Sequence, residues 1–183
     1  MLQSAGADTV FFATVAPKFG AQGVRKIGEL GWKPLILLVR AVSTVETTLK
    51  PAGLDHSTGA ITTMFQKEPG DPKWENDPAM KEYFAFMKQW APGEPAAEPL
   101  AVLGYLSAQV LVDLLKKCGD ELTRENLQYQ VTHIKDYQSP LFVDGVKINI
   151  SPESRMPVKQ AQVAQFDGKN WVFVGGIVNA PGE

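Results

Sequence analysis

GADTVFFATVAPKFGAQGVRKIGELGWKPLILLVRAVSTVETTLKPAGLDHSTGAITTMFQ, residues 6–66, is the stretch on which the fold turns. Val10 to Ala13 is a short apolar run rich in aromatics, too short for a helix, and reads as a buried strand. Pro17 opens a helix, because the N–H it lacks is one that a first helical turn leaves unpaired anyway. Phe19, Val24, Ile27 and Leu30 then form one apolar stripe that Gly31 ends. Leu35 to Val39, after Pro34, is a second continuous apolar run. Arg40 to Ser57 has no clean period, with one helical turn expected at Thr47 to Lys50. Gly59 introduces a third strand, Ala60 to Phe65, carrying β-branched Ile61, Thr62 and Thr63. Strands alternating with a helix imply a parallel βαβ unit in an α/β fold.

Open parallel sheets bind ligands beyond the carboxyl ends of their strands. Those ends are Thr14-Val15-Ala16-Pro17-Lys18 and Arg40-Ala41-Val42-Ser43, so Thr14, Val15, Ala16, Arg40, Ala41 and Ser43 are the candidate ligand-binding residues. The first loop also feeds a helix N-terminus, which favours an anion such as a carboxylate. The plain alternative is that both are ordinary βα loops.

Downstream, Gln66 to Pro78 (QKEPGDPKWENDP) is proline-rich and charged, and reads as a connector. Its acids Glu68, Asp71, Glu75 and Asp77 are expected to be solvated, since their spacing does not fit a calcium loop. Pro78 to Trp90 is an amphipathic helix with Met80, Tyr83, Phe84 and Met87 on its apolar face. Leu100 to Lys117 is the longest helix, with Leu103, Ser107, Val110, Leu111 and Leu114 on one face. Thr123 caps a helix over Arg124 to Asp136, with His133 beside its inner face in a structural position. Leu141–Val143 and Val146–Ile150 flank an Asp144-Gly145 turn. Ser151 to Pro157 is a second connector. Lys159–Phe166 and Trp171–Ile177 form a closing hairpin, with Trp171 and Phe173 on one face and Val172 and Val174 on the other.

The chain has 183 residues, 44% hydrophobic and 21% charged, with net charge −2. That balance gives no nucleic-acid footprint. No continuous apolar run approaches the ~20 residues of a membrane span, and MLQSAGAD shows no signal peptide. There is no G-x-S-x-G elbow, P-loop or G-x-G-x-x-G, and no Cys/His cluster with metal-ligand spacing, so neither catalytic residues nor a metal or cofactor is expected.

Taken in order, GADTVFFATVAPKFGAQGVRKIGELGWKPL, LKPAGLDHSTGAI, GDPKWENDPAMKEYFAFMKQW, KKCGDELTREN and QVAQFDGKNWVFVGGIV resemble the second half of type I periplasmic solute-binding proteins. The group is that serving branched-chain amino-acid-type ABC transporters. Each motif alone is unspecific; order and spacing carry the resemblance. The family is about twice as long, and LQSAGAD falls mid-sequence in it, so the chain is expected to be a fragment.

The resemblance implies a two-lobed fold. Residues 1–67 and 158–183 would belong to the second lobe and 68–157 to the first, with crossovers near 66–78 and 151–158. It implies capture of a small carboxylate-bearing solute, an amino acid or aromatic acid, in an interlobe cleft. The partner would be an ABC permease and the location the periplasm. Family members place an aromatic or hydroxyl residue where Thr14 to Pro17 stand; Val15 and Ala16 are less polar and suggest an apolar wall. Arg40 falls where amino-acid binders carry an acid, and a cation there would favour a second carboxylate or an aromatic acid. Cys118 matches a position that can pair with a first-half cysteine, so here it would be an orphan. Helices without their sheet strands would drive the fragment to self-associate. The alternatives are a receptor's ligand-sensing domain or, with less support, an α/β enzyme.

Overall fold

The structure is a computed structural model that describes residues 2–180. Its elements follow the alternation of apolar runs and turn residues. Strand β1 (Thr9–Phe12) leads through a short loop into α1 (Pro17–Glu29), β2 (Leu35–Leu38) and β3 (Ile61–Met64). Between β2 and β3 lie a 3₁₀ turn (Arg40–Val42), a π turn (Val45–Leu49) and two single helical turns, α2 (Lys50–Ala52) and α3 (Leu54–Ser57). Helices α4 (Pro78–Trp90), α5 (Pro99–Cys118) and α6 (Arg124–Val131) follow, then strands β4 (Gln160–Phe166) and β5 (Trp171–Asn179).

The five strands form one sheet in the order β1-β2-β3-β4-β5. β1 and β2 pair parallel with Phe12 opposite Leu38, and β2 pairs parallel with β3 at Leu37 and Ile61. β3 and β4 run antiparallel, with Thr62 opposite Ala164. The sheet is therefore parallel at one side and antiparallel at the other, as expected for an α/β core closed by a hairpin. Two compact units are evident: one runs to Met64 and includes Gln162–Gly176, and the other comprises Phe65–Ala161 and the described residues from Ile177 on.

In the first unit, α1 buries Ala21, Val24 and Ile27. Ile36, Leu38, Met64, Ala164, Phe166 and Trp171 complete the core from the sheet, and Val42, Leu49 and Ala52 from the turns. Two glycines of α1 set how closely the helix approaches. A Cβ at Gly23 would lie 2.3 Å from the Phe12 ring, and one at Gly20 2.9 Å from Val42 Cβ. The opposite sheet face is more exposed. Pairing register and alternation put Thr9, Phe11, Leu35, Leu37, Ile61, Thr63, Val163, Gln165, Val172 and Val174 on it. Phe11 is 62% exposed and Val174 48%.

In the second unit, Asp77 caps α4, its Oδ1 accepting the Met80 N–H at 3.0 Å, and Thr123 caps α6 through the Asn126 N–H at 3.1 Å. Tyr83 is fully buried; its hydroxyl donates to the Ala96 carbonyl at 2.8 Å, and burial pushes its pKa up to about 12. The Asp144-Gly145 turn forms, with Val146 N–H donating to Val143 O at 3.0 Å. Its flanks are not strands: they make isolated bridges, Gln66 with Phe142 and Ile148 with both Tyr137 and Val158.

Several sequence expectations are corrected. The α6 helix stops at Val131 rather than Asp136: Thr132 is its C-cap, and the next N–H, that of His133, bonds the Gln130 carbonyl at 3.3 Å instead of continuing the i→i−4 ladder. His133 therefore lies past the helix end, stacked on Tyr129 at 4.0 Å between ring centroids. The α5 helix is long and apolar enough, by length and composition, to cross a membrane. Gly104, Ser107, Gln109 and Asp113 interrupt its apolar runs, which hid this from a count of consecutive residues. It also buries Val102, Leu106, Leu114 and Cys118, so its inner face is turned from the one expected.

The Gln66–Pro78 connector is solvated only in part: Gly70, Pro72, Lys73, Glu75 and Asn76 are exposed, as expected, but its start is not. Lys67 and Glu68 are buried, and the Gln66 side-chain amide donates to the Pro99 carbonyl at 2.7 Å. The Lys67 ammonium pairs with Asp77 and sits 5.0 Å from the Trp74 ring centroid.

Candidate functional site

The candidate site lies in the first unit, at the carboxyl ends of β1 and β2. After Phe12 the chain leaves the sheet, and the Thr14 hydroxyl accepts the Ala16 N–H at 3.3 Å, fixing the loop. Ala16 is the N-cap of α1 and offers no side-chain acceptor to the helix's first turn. The 13-residue helix thus presents its positive end without a local carboxylate or hydroxyl cap. Val15 is 82% exposed.

Val39 N–H donates to Phe12 O at 3.3 Å, so the second loop starts directly beside the first. The chain then turns through Arg40–Val42, packed against α1 where Gly20 lets Val42 approach. Arg40 Nη1 donates to Ser43 Oγ at 3.1 Å, and Ser43 Oγ donates to the Arg40 carbonyl at 3.0 Å. The two bonds hold the guanidinium over its own turn. Glu46, on the next turn, pairs with Lys50.

The structure therefore brings Thr14, Val15, Ala16, Arg40 and Ala41 to one edge. Ser43 differs: it is fully buried, and its hydroxyl is used in holding Arg40. In this geometry its hydroxyl braces the Arg40 turn. Trp171 is the residue that sequence reading passed over. Its Nε1–H donates to the Ser43 carbonyl at 2.9 Å, tying the Arg40–Ser43 turn to β5 across 128 residues of sequence. Its placement on the inward face of the hairpin was legible; the long-range partner was not.

No group of three or more His, Cys, Asp or Glu side chains stands together to hold a metal ion among the described residues.

A profile of the periplasmic binding protein family matches residues 1–170. Comparison with curated proteins gives no match. Among solved structures, the chain is similar to a branched-chain amino acid ABC transporter protein of Thermus thermophilus with bound valine, at TM-score 0.79 and 17% identity. The match covers 98% of this chain and 48% of that one. It is similar also to a leucine-binding protein of Thermotoga maritima (TM-score 0.68, 21% identity, 97% of this chain and 46% of that one). A third is an ABC transporter substrate-binding protein of Aeropyrum pernix (TM-score 0.75, 12% identity, 98% and 46%). The chain thus spans about half the length of these structures and carries the type I fold of their matching half. With the profile covering most of its residues, the chain belongs to the periplasmic binding protein family.

Proposed function

We propose that this chain contributes one wall of a solute-binding cleft, in a protein that captures a small carboxylate-bearing solute and delivers it to an ABC permease in the periplasm. The observation that supports it most is the uncapped N-terminus of α1 standing beside the Arg40–Val42 turn at the carboxyl ends of two parallel strands. An anion there meets the positive end of the helix dipole and a guanidinium together. Family membership agrees with capture without chemistry. On this reading residues 1–67 and 158–183 form part of the second lobe and 68–157 part of the first. Closure of the lobes would bury the solute, with affinity set by contacts made only when closed.

Val15 and Ala16 supply an apolar wall, and Arg40 selects for a second carboxylate or an aromatic acid. With one wall alone, binding is expected to be weak, in the millimolar range. Titration of glutamate, benzoate and leucine into the labelled chain, followed by amide NMR, should move resonances of residues 13–20 and 39–43. Arg40→Ala should reduce the response to glutamate and benzoate about tenfold and leave leucine nearly unchanged. Shifts scattered elsewhere, or an Arg40→Ala chain that responds equally to all three, would remove Arg40 from the site.

The family reading also supports self-association of the isolated chain, because α5 exposes Leu100, Leu103, Leu111 and Leu115.

A further inference from the structure

The π turn Val45–Leu49 sets two local preferences against each other. The Thr44 carbonyl accepts two N–H groups, from Thr48 at 3.0 Å and from Leu49 at 3.1 Å, and the Lys50 N–H reaches back to the Val45 carbonyl. A π turn holds one residue more than the α turn it replaces, and such turns are rare. Here Pro51 supplies the reason. In an α register its ring would press on the carbonyl four residues earlier, that of Thr47.

The π register in its place strands a hydroxyl. Thr48 is fully buried, and its Oγ1 has no hydrogen-bond partner. Other hydroxyls on or beside helices here donate to the carbonyl four residues back: Ser57 to Gly53 at 3.0 Å, Ser107 to Leu103 at 2.8 Å and Thr132 to Gln128 at 2.9 Å. For Thr48 that carbonyl is Thr44, whose two lone pairs are already taken. The neighbouring Thr47 Oγ1 is buried and unpaired as well.

We infer that Val45–Leu49 is a one-residue slack element, which rewinds between π and α registers and so gives the Arg40 turn two positions. In the α register the Leu49 N–H moves to the Val45 carbonyl, and the Thr48 hydroxyl takes the place it leaves on Thr44. The two penalties, proline against carbonyl in one register and a stranded hydroxyl in the other, are of the same order, so both registers are populated. Anchoring decides where the freed residue goes. Downstream, Leu49 and Ala52 are buried, and Arg25 of α1 donates to the Pro51 carbonyl. Upstream, Thr44 is extended and joins Ser43 directly, and the bond from Trp171 to the Ser43 carbonyl is the tie that yields. The slack therefore passes to Ser43, and through its hydroxyl to Arg40. That the shift tunes solute capture rests on the function proposed above; the shift itself does not.

Amide relaxation dispersion on the whole labelled chain, with no solute added, tests this, because helix register shifts fall in the μs–ms range it detects. Amides from Ala41 to Lys50 should share one exchange process, with a minor state on the order of 1–10%. Thr48→Val keeps the shape of the side chain without its hydroxyl, and should flatten those curves by about fivefold or more. Thr48→Ser keeps the hydroxyl and should preserve them. Pro51→Ala removes the group that opposes the α register and should raise the minor population severalfold. If Pro51→Ala fails to fold, the two Thr48 variants carry the test. Flat curves in the parent overturn the inference, as do curves that Thr48→Val leaves unchanged. So do separate exchange rates for Ala41–Thr44 and Val45–Lys50, which would leave the slack no path to Arg40. No solute is present, so this test and the solute titration fail separately.

Discussion

Asp77→Ala is expected to cost the second unit about 3–5 kcal/mol, the usual effect of stranding one member of a buried ion pair. Lys67 is only 7% exposed and Asp77 holds its ammonium group, so the substitution leaves a buried cation, beside the Trp74 ring, without that carboxylate. It also removes the acceptor that caps α4 at Met80. Asp77→Asn separates the two effects, since asparagine caps well but carries no charge. The double change Lys67→Met with Asp77→Asn should recover most of the loss, because an apolar replacement no longer demands a partner. Urea unfolding of the three variants, read by α4 amide exchange, checks the order.

The same carboxyl gives a pH signature. Burial raises the pKa of Asp77, but the hydrogen bond from Lys67 and those from the Met80 and Ala79 N–H groups outweigh it and hold it below its ordinary value of 3.8. A folded pKa below the unfolded one means stability that is fully present above the unfolded value and lost as pH falls through the folded one. The gap between parent and Asp77→Asn should stay constant from neutrality down to about pH 5 and shrink below about pH 4. A gap unchanged at pH 2 would show that the ion pair is not its origin.

Trp171→Ala should destabilise the first unit by about 3–5 kcal/mol through the cavity it leaves. The ring is buried, lies 5.5 Å from Phe166 between centroids, and bonds the Ser43 carbonyl. Trp171→Phe keeps most of the packing and deletes the bond, at a cost of about 1–3 kcal/mol for the stranded carbonyl. In Trp171→Phe the amides of Val42 and Ser43 should exchange faster while those of α1 change little. Equal acceleration in both would mean that the tryptophan supports the core in general and not the Arg40 turn. A chain of two units need not unfold in one step, so residue-resolved exchange is the suitable readout.

How much was legible depended on whether a signal was local. The β1-α1-β2 unit could be read because proline, glycine and apolar period agree within a few residues. The α4 boundaries, Pro78 and Trp90, and the hairpin turn at Asp167 were readable for the same reason: the Asp167 carboxylate accepts the Lys169 and Asn170 N–H groups locally. In α5, periodicity had little to select on. The helix is apolar nearly all round, so the buried face (Val102, Leu106, Leu114) was set by its neighbours rather than by its own pattern. Lys67 looked like one more charge in a polar connector, since its pairing with Asp77 ten residues later leaves no mark in spacing. At the candidate site, the loops were legible from strand ends, and the burial of Ser43 was not, because Trp171 and Arg40 create it from distant parts of the chain.

The close approach of Val42 to Gly20 has a genetic side. Every single-base missense change of a glycine codon adds a side chain, and the smallest of them already puts a Cβ 2.9 Å from a buried branched carbon at position 20. Gly104, by contrast, has nothing within 4 Å of where its Cβ would be, and alanine there also favours the helix by about 1 kcal/mol. In a random library sorted for folded protein, codon 20 should return almost only synonymous changes, while codon 104 drifts freely. One glycine is thus a fixed point of the reading frame and the other a neutral one, a difference set by what lies opposite each.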